Sequence, residues 1–143
     1  MEHRKTEYGY YLKFDKDEKL HALLEKFMVD QKIGGAFYHG LGALKNSHLG
    51  FYHLDKKEYH RETFEREVEL LNLTGSLTWF EGKPVVHSHV TLGDTDFNAF
   101  GGHLFEADVA VTVELSMTVF KDKIEREFVP DIGLNLITFC PIK

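Results

Sequence analysis

A chain of 143 residues amounts to one domain at about 150 residues each, and its 43% hydrophobic and 28% charged content excludes a disordered or collagen-like chain. Seventeen Lys and Arg against 23 Asp and Glu leave a net charge of −6, which lacks the basic surplus that phosphate neutralisation needs. One cysteine, Cys140, excludes an internal disulfide and a Cys-rich zinc site, and no apolar run reaches bilayer length. Only Arg4, Arg61, Arg66 and Arg126 are arginines, whereas histidine occurs nine times. The opening MEHRKTEYGYY has no apolar run of the signal-peptide kind, so a single cytoplasmic domain over residues 1–143 is expected.

In chain order, residues 5–14 alternate, with Tyr8, Tyr10, Leu12 and Phe14 on one side, and predict a half-buried strand. Asp15 or Asp17 is placed to cap a helix through about Gln31. Its Leu20, Leu23, Leu24, Phe27 and Met28 form an apolar stripe, and Gly34-Gly35 is the expected stop. Residues 36–44 and 48–54 predict two strands around a Lys45-Asn46 turn, and 55–66 is polar and aromatic, a loop or short strand. From Glu67 to Phe80 the pattern predicts strand, irregularity at Gly75, strand. Turns follow at 81–84 and 93–96, around a strand at 85–92. The odd positions from Val109 to Val119 are all apolar, which predicts a long strand over 108–120; 134–139 is a last short one. One helix against many antiparallel strands makes an α+β domain.

The candidate chemistry lies in the histidines. Period 2 puts His87 and His89 on one face, about 7 Å apart at 3.3 Å per residue. Phe100-Gly101-Gly102 then leads to His103, which returns beside them if the two flanking strands are neighbours. Three imidazoles with a fourth position open suit Zn²⁺, or another divalent metal. A His-x-His pair is equally an exposed polar pair on a half-buried strand. Asp94, Asp96 and Glu106 are the carboxylates placed to orient a histidine from behind, although Asp94 and Asp96 also suit a turn for backbone reasons. His39, His48, His53 and His60 read as ordinary surface residues. No nucleophile motif, no identifiable catalytic residue and no dinucleotide fingerprint is present.

Three blocks carry a resemblance: Glu69-Leu70-Leu71-Asn72-Leu73-Thr74-Gly75-Ser76, His87-Ser88-His89-Val90-Thr91-Leu92-Gly93-Asp94, and Phe100-Gly101-Gly102-His103-Leu104. In this order and spacing the chain resembles the plant-and-prokaryote conserved (PPC) domain, also called domain of unknown function 296. The resemblance implies an antiparallel α+β subunit assembled as a homotrimer. It also strengthens the metal reading of His87, His89 and His103. Prokaryotic members are commonly given a provisional DNA-binding label with a PD1-like motif. Plant members add an AT-hook, which is absent here. Where plant members often carry Arg in Gly-Arg-Phe-Glu-Ile-Leu, this chain has Glu67.

The expected function is therefore a trimeric binding module with a three-His metal site. DNA is the partner the resemblance implies, and net charge disfavours it. The alternatives are a small zinc-dependent hydrolase or lyase, or a metal-dependent sensor of a small-molecule ligand. No membrane partner is expected.

Overall fold

The structure, a computed structural model, describes residues 1–139, so Cys140 lies outside the described residues. The elements are β1 (Glu2–Lys5), β2 (Gly9–Asp15), α1 (Leu20–Asp30), β3 (Ala36–His53), β4 (Glu58–Phe64), β5 (Val68–Phe80), β6 (Lys83–Gly93), β7 (Ala99–Val119), β8 (Arg126–Val129) and β9 (Leu134–Ile137). Seven strands form one antiparallel sheet, in the order β1-β2-β7-β6-β5-β3-β4, and β8 and β9 form a separate hairpin. With a single helix among the described residues, this is the α+β class that the alternation predicts.

Strand β7 organises the sheet. From His103 to Val119 one of its edges pairs with β3. Its other edge pairs with β6 over 99–104 and with β2 over 112–118. Because β3 also pairs with β5, and β5 with β6, strands β3, β5, β6 and β7 close a ring. In the gap that β6 and β2 leave on β7, residues 17–19 complete the edge. There Asp17 N donates to Val109 O and Val109 N donates to Glu18 O, both at 2.9 Å. This contact delivers α1 to the ring's opening. Leu20, Leu24 and Met28 of α1 are fully buried, as are Leu44, Leu73, Leu77, Leu92, Leu104 and Leu115 of the ring strands. Each such side chain contributes about 1.5–3 kcal/mol by leaving water.

Several predicted boundaries move, each for a local reason. The first strand is a hairpin: β1 and β2 flank a turn closed by Thr6 N donating to Gly9 O, so Tyr8 is exposed while Leu12 and Phe14 are buried. The helix starts at Leu20, and its N-cap residue Lys19 makes no side-chain cap; Asp17 lies in a left-handed turn (φ 68°) just before it. It ends through Lys32 (φ 54°) rather than through glycine.

Residues 36–53 are one strand rather than two. Asn46 is left-handed (φ 49°), yet it marks a bulge, where the β3–β7 register shifts between Lys45 and His48. In β5 the irregularity lies between Leu70 and Asn72, not at Gly75. In β7 the alternation breaks at Val111, which is exposed while Val109 and Val113 are buried. The turn at Glu81-Gly82 is present, with φ positive at both residues, but Pro84 already belongs to β6.

Candidate metal centre

The β6–β7 seam makes His89 and His103 direct cross-strand partners. His87 shares their face, two residues back along β6. The ring centroids lie 5.3 Å (His87–His89), 5.2 Å (His87–His103) and 5.5 Å (His89–His103) apart. One nitrogen from each ring lies within 4.8 Å of the others. Gly101 and Gly102 make this seam possible by close approach rather than by a turn: both are inside β7. A Cβ on Gly101 would penetrate Val90 O across the seam, and one on Gly102 would sit 2.9 Å from Gly50 O on β3.

Ser88, between the two β6 histidines, points into the core. Its Oγ lies 2.8 Å from His21 Nε2 and 2.5 Å from Tyr38 OH, a buried polar chain that ties β6 to α1 and β3. Gly75 gives Tyr38 its room, since a Cβ there would meet the Tyr38 hydroxyl. The strand that carries two of the histidines is thus fixed from behind.

Aromatic rings wall the third. His103 packs against Phe105 at 4.6 Å and Tyr59 at 5.2 Å between centroids. The guanidinium of Arg61 lies 4.0 Å from the Phe105 ring centre. Arg126, from β8, reaches the other side. It donates through Nε to Thr78 Oγ1 and through Nη1 to Asn135 O, both at 2.8 Å, and through Nη2 to His87 Nδ1 at 3.3 Å.

Burial, then Arg126, then the neighbouring imidazoles push His87 down to about 4; burial and the other histidines do the same to His103. Both rings are therefore neutral near pH 7, the form that coordinates a cation.

None of the predicted carboxylates, Asp94, Asp96 and Glu106, hydrogen-bonds to the three histidines among the described residues. Glu106 is the missing cap of α1: Oε1 accepts from His21 N at 2.8 Å and Oε2 from Ala22 N at 3.1 Å. Asp94 closes the β6–β7 turn, with Oδ1 accepting from Asp96 N at 3.0 Å and Asn98 N at 2.9 Å, and it faces Arg66. His39, His48, His53 and His60 stand outside the cluster. Sequence reading missed Arg126, Tyr59, Phe105 and the His21–Ser88–Tyr38 chain. The scarcity of arginine was the available signal for Arg126, but no pattern placed residue 126 beside residue 87.

The donor set fits a divalent cation. Bonds of about 2.0–2.1 Å in a tetrahedral site put nitrogens about 3.3 Å apart, within reach of small ring rotations from the observed spacing. His103 Nδ1 is buried without a hydrogen-bond partner. Such an orphan costs about 1–3 kcal/mol, and coordination through that nitrogen would remove it.

Fold and site together define a small, mostly antiparallel α+β binding domain with an outward-facing histidine cluster. The chain matches the Plants and Prokaryotes Conserved (PCC) domain over residues 1–121, and it belongs to that family. Arg126 lies beyond the matched region.

Among solved structures it is similar to a protein of Ralstonia eutropha described as a "putative DNA-binding protein", at 31% identity over 96% of each chain with a TM-score of 0.89. It is also similar to a plant- and prokaryote-conserved (PPC) protein of Pyrococcus horikoshii, at 33% identity over 93% of this chain and 92% of that one, TM-score 0.83. A metal-containing protein of Archaeoglobus fulgidus matches at 30% identity over 97% of this chain and 100% of the other, TM-score 0.84. No curated protein matches. No described helix is long and apolar enough to cross a membrane.

Proposed function

We propose that this chain is a homotrimeric binding module whose His87, His89 and His103 hold one divalent metal per subunit, Zn²⁺ first among candidates. The observation that carries the reading is the convergence of the three imidazoles across the β6–β7 seam, on a face backed by a buried polar chain. The metal-containing relative from Archaeoglobus fulgidus supports it. Bound there, Zn²⁺ would supply a Lewis-acidic position open to one further ligand.

A small-molecule role is favoured over DNA, despite the DNA-binding description of the Ralstonia relative. Three copies at −6 each make −18 per trimer, which repels a phosphate backbone. A hydrolase or lyase would need an acid or base near the metal, and Glu106 is committed to α1. An exposed apolar patch supports the trimer. Leu41, Leu71 and Val111 line one shallow depression, and Phe97, 96% exposed, borders the next.

Elemental analysis of gently purified protein tests the metal. About one Zn²⁺ per chain is expected, with a sharp loss in His87→Ala, His89→Ala and His103→Ala and none in His48→Ala or His60→Ala. Protein that neither carries metal nor gains melting temperature from added Zn²⁺ overturns the reading. Nanomolar duplex binding at about 150 mM salt, the strength of specific binders, would restore DNA as the partner.

A further inference from the structure

The groups around the three histidines are cationic or neutral. Arg126 is half-buried, and Arg61 lies over Phe105 nearby. Among the described residues neither arginine forms an ion pair with a carboxylate. A partly buried charge such as Arg126 is ordinarily paired, whereas Arg61 is exposed. A divalent cation on three neutral imidazoles would add to this surplus, so the charge balance calls for an anion.

The Arg126–His87 contact says where that anion goes. A guanidinium only donates, so His87 Nδ1 at 3.3 Å is the acceptor and Nε2 carries the ring proton. Coordination through Nδ1 would consume the lone pair that Arg126 uses. Coordination through Nε2 would move the proton to Nδ1, where it faces another N–H. By either route His87 gives up Arg126. The bonds from Nε to Thr78 Oγ1 and from Nη1 to Asn135 O still hold the guanidinium in place. Nη2 is left as a free, fixed donor at the edge of the site.

We propose that Arg126 anchors an oxyanion, the carboxylate or phosphate group of a small ligand, beside His87, His89 and His103, and that it becomes free to do so when His87 turns to a metal. This rests on the metal reading above. It makes the C-terminal β8–β9 hairpin, outside the matched family region, part of the ligand site.

Co²⁺-substituted protein separates the two claims, because the visible spectrum of Co²⁺ reports both its uptake and a change of ligand. Wild type should take up Co²⁺, and its spectrum should then shift on titration with inorganic phosphate or with acetate; the stronger of the two identifies the ligand class. Chelator-treated wild type should bind the same anion at least tenfold more weakly by calorimetry. Arg126→Gln should keep Co²⁺ uptake and lose anion affinity at least tenfold, and Arg126→Lys should recover part of it. A circular-dichroism spectrum and a melting transition matching wild type show that each variant has folded. Equal anion affinity in wild type and Arg126→Gln, or no spectral response to either anion in wild type, overturns this inference alone. Failure of wild type to take up Co²⁺ overturns the metal reading and this inference with it.

Discussion

Glu106 shows how one side chain settles its own role. Eighty-five residues separate it from His21, yet its two oxygens take the first-turn N–H groups of α1 that neither Asp15 nor Asp17 serves. A carboxylate there also meets the positive end of the helix dipole. Glu106→Ala should therefore destabilise the protein by about 0.5–2 kcal/mol, the usual worth of a lost cap, and leave metal content unchanged. Denaturant melts paired with elemental analysis check this; loss of metal without loss of stability would move Glu106 back to the histidines. His87 and His103 carry a second expectation at this scale. The unfolded chain takes up protons near pH 6.5, whereas the folded rings resist to about 4. Between those values the unfolded state binds more protons, so chelator-treated protein should lose stability as pH falls from about 6.5 towards 4. Melting temperatures across that window should flatten when His87 and His103 are replaced by Asn.

Among the elements, the β6–β7 seam is the most sensitive to sequence. Gly101→Ala would drive a methyl into Val90 O, so the strands must separate where His89 and His103 face each other. A loss of about 1–3 kcal/mol is expected, together with weaker metal binding. Gly82→Ala, in the open β5–β6 turn, should cost only the strain of its positive φ and leave metal binding intact. Calorimetric titration of both variants separates packing from turn strain. This seam was also the most legible part of the chain. Period 2 is reliable where a strand is regular, so the shared face of His87 and His89 followed from spacing, whereas the return of His103 depended on the two flanking strands being neighbours, as the pairing of β6 with β7 makes them. The long strand β3 was not legible, because a left-handed Asn46 signals a bulge and a turn equally well. Nor was the use of Arg126 and Glu106, whose partners are set by how the β8–β9 hairpin and α1 pack on the ring, and such packing leaves no local periodicity.

For the whole molecule, the apolar depression around Leu41, Leu71 and Val111 bears on assembly. Val111 is 67% exposed because the β7 alternation breaks there, and an apolar side chain turned outward on a long strand suits a subunit contact. Val111→Asp should convert a trimer to smaller species by light scattering at micromolar concentration, with metal bound as before. A wild-type monomer under those conditions would remove the trimer.

The closed ring also bears on the order in which the protein folds. Pairing β3 with β7 joins residues such as Ala36 and Val119, far apart in the chain, and loop-closure entropy makes such contacts slow to form. The three histidines instead sit on a single hairpin, between residues 87 and 103. Their site can assemble while the ring is still open. Metal should then act on the folding transition state as well as on the native state, so Zn²⁺ should raise the refolding rate in stopped-flow experiments and not merely retard unfolding. Arg126 arrives with a hairpin beyond the ring. The nascent chain would accordingly hold its metal before it could hold an anion.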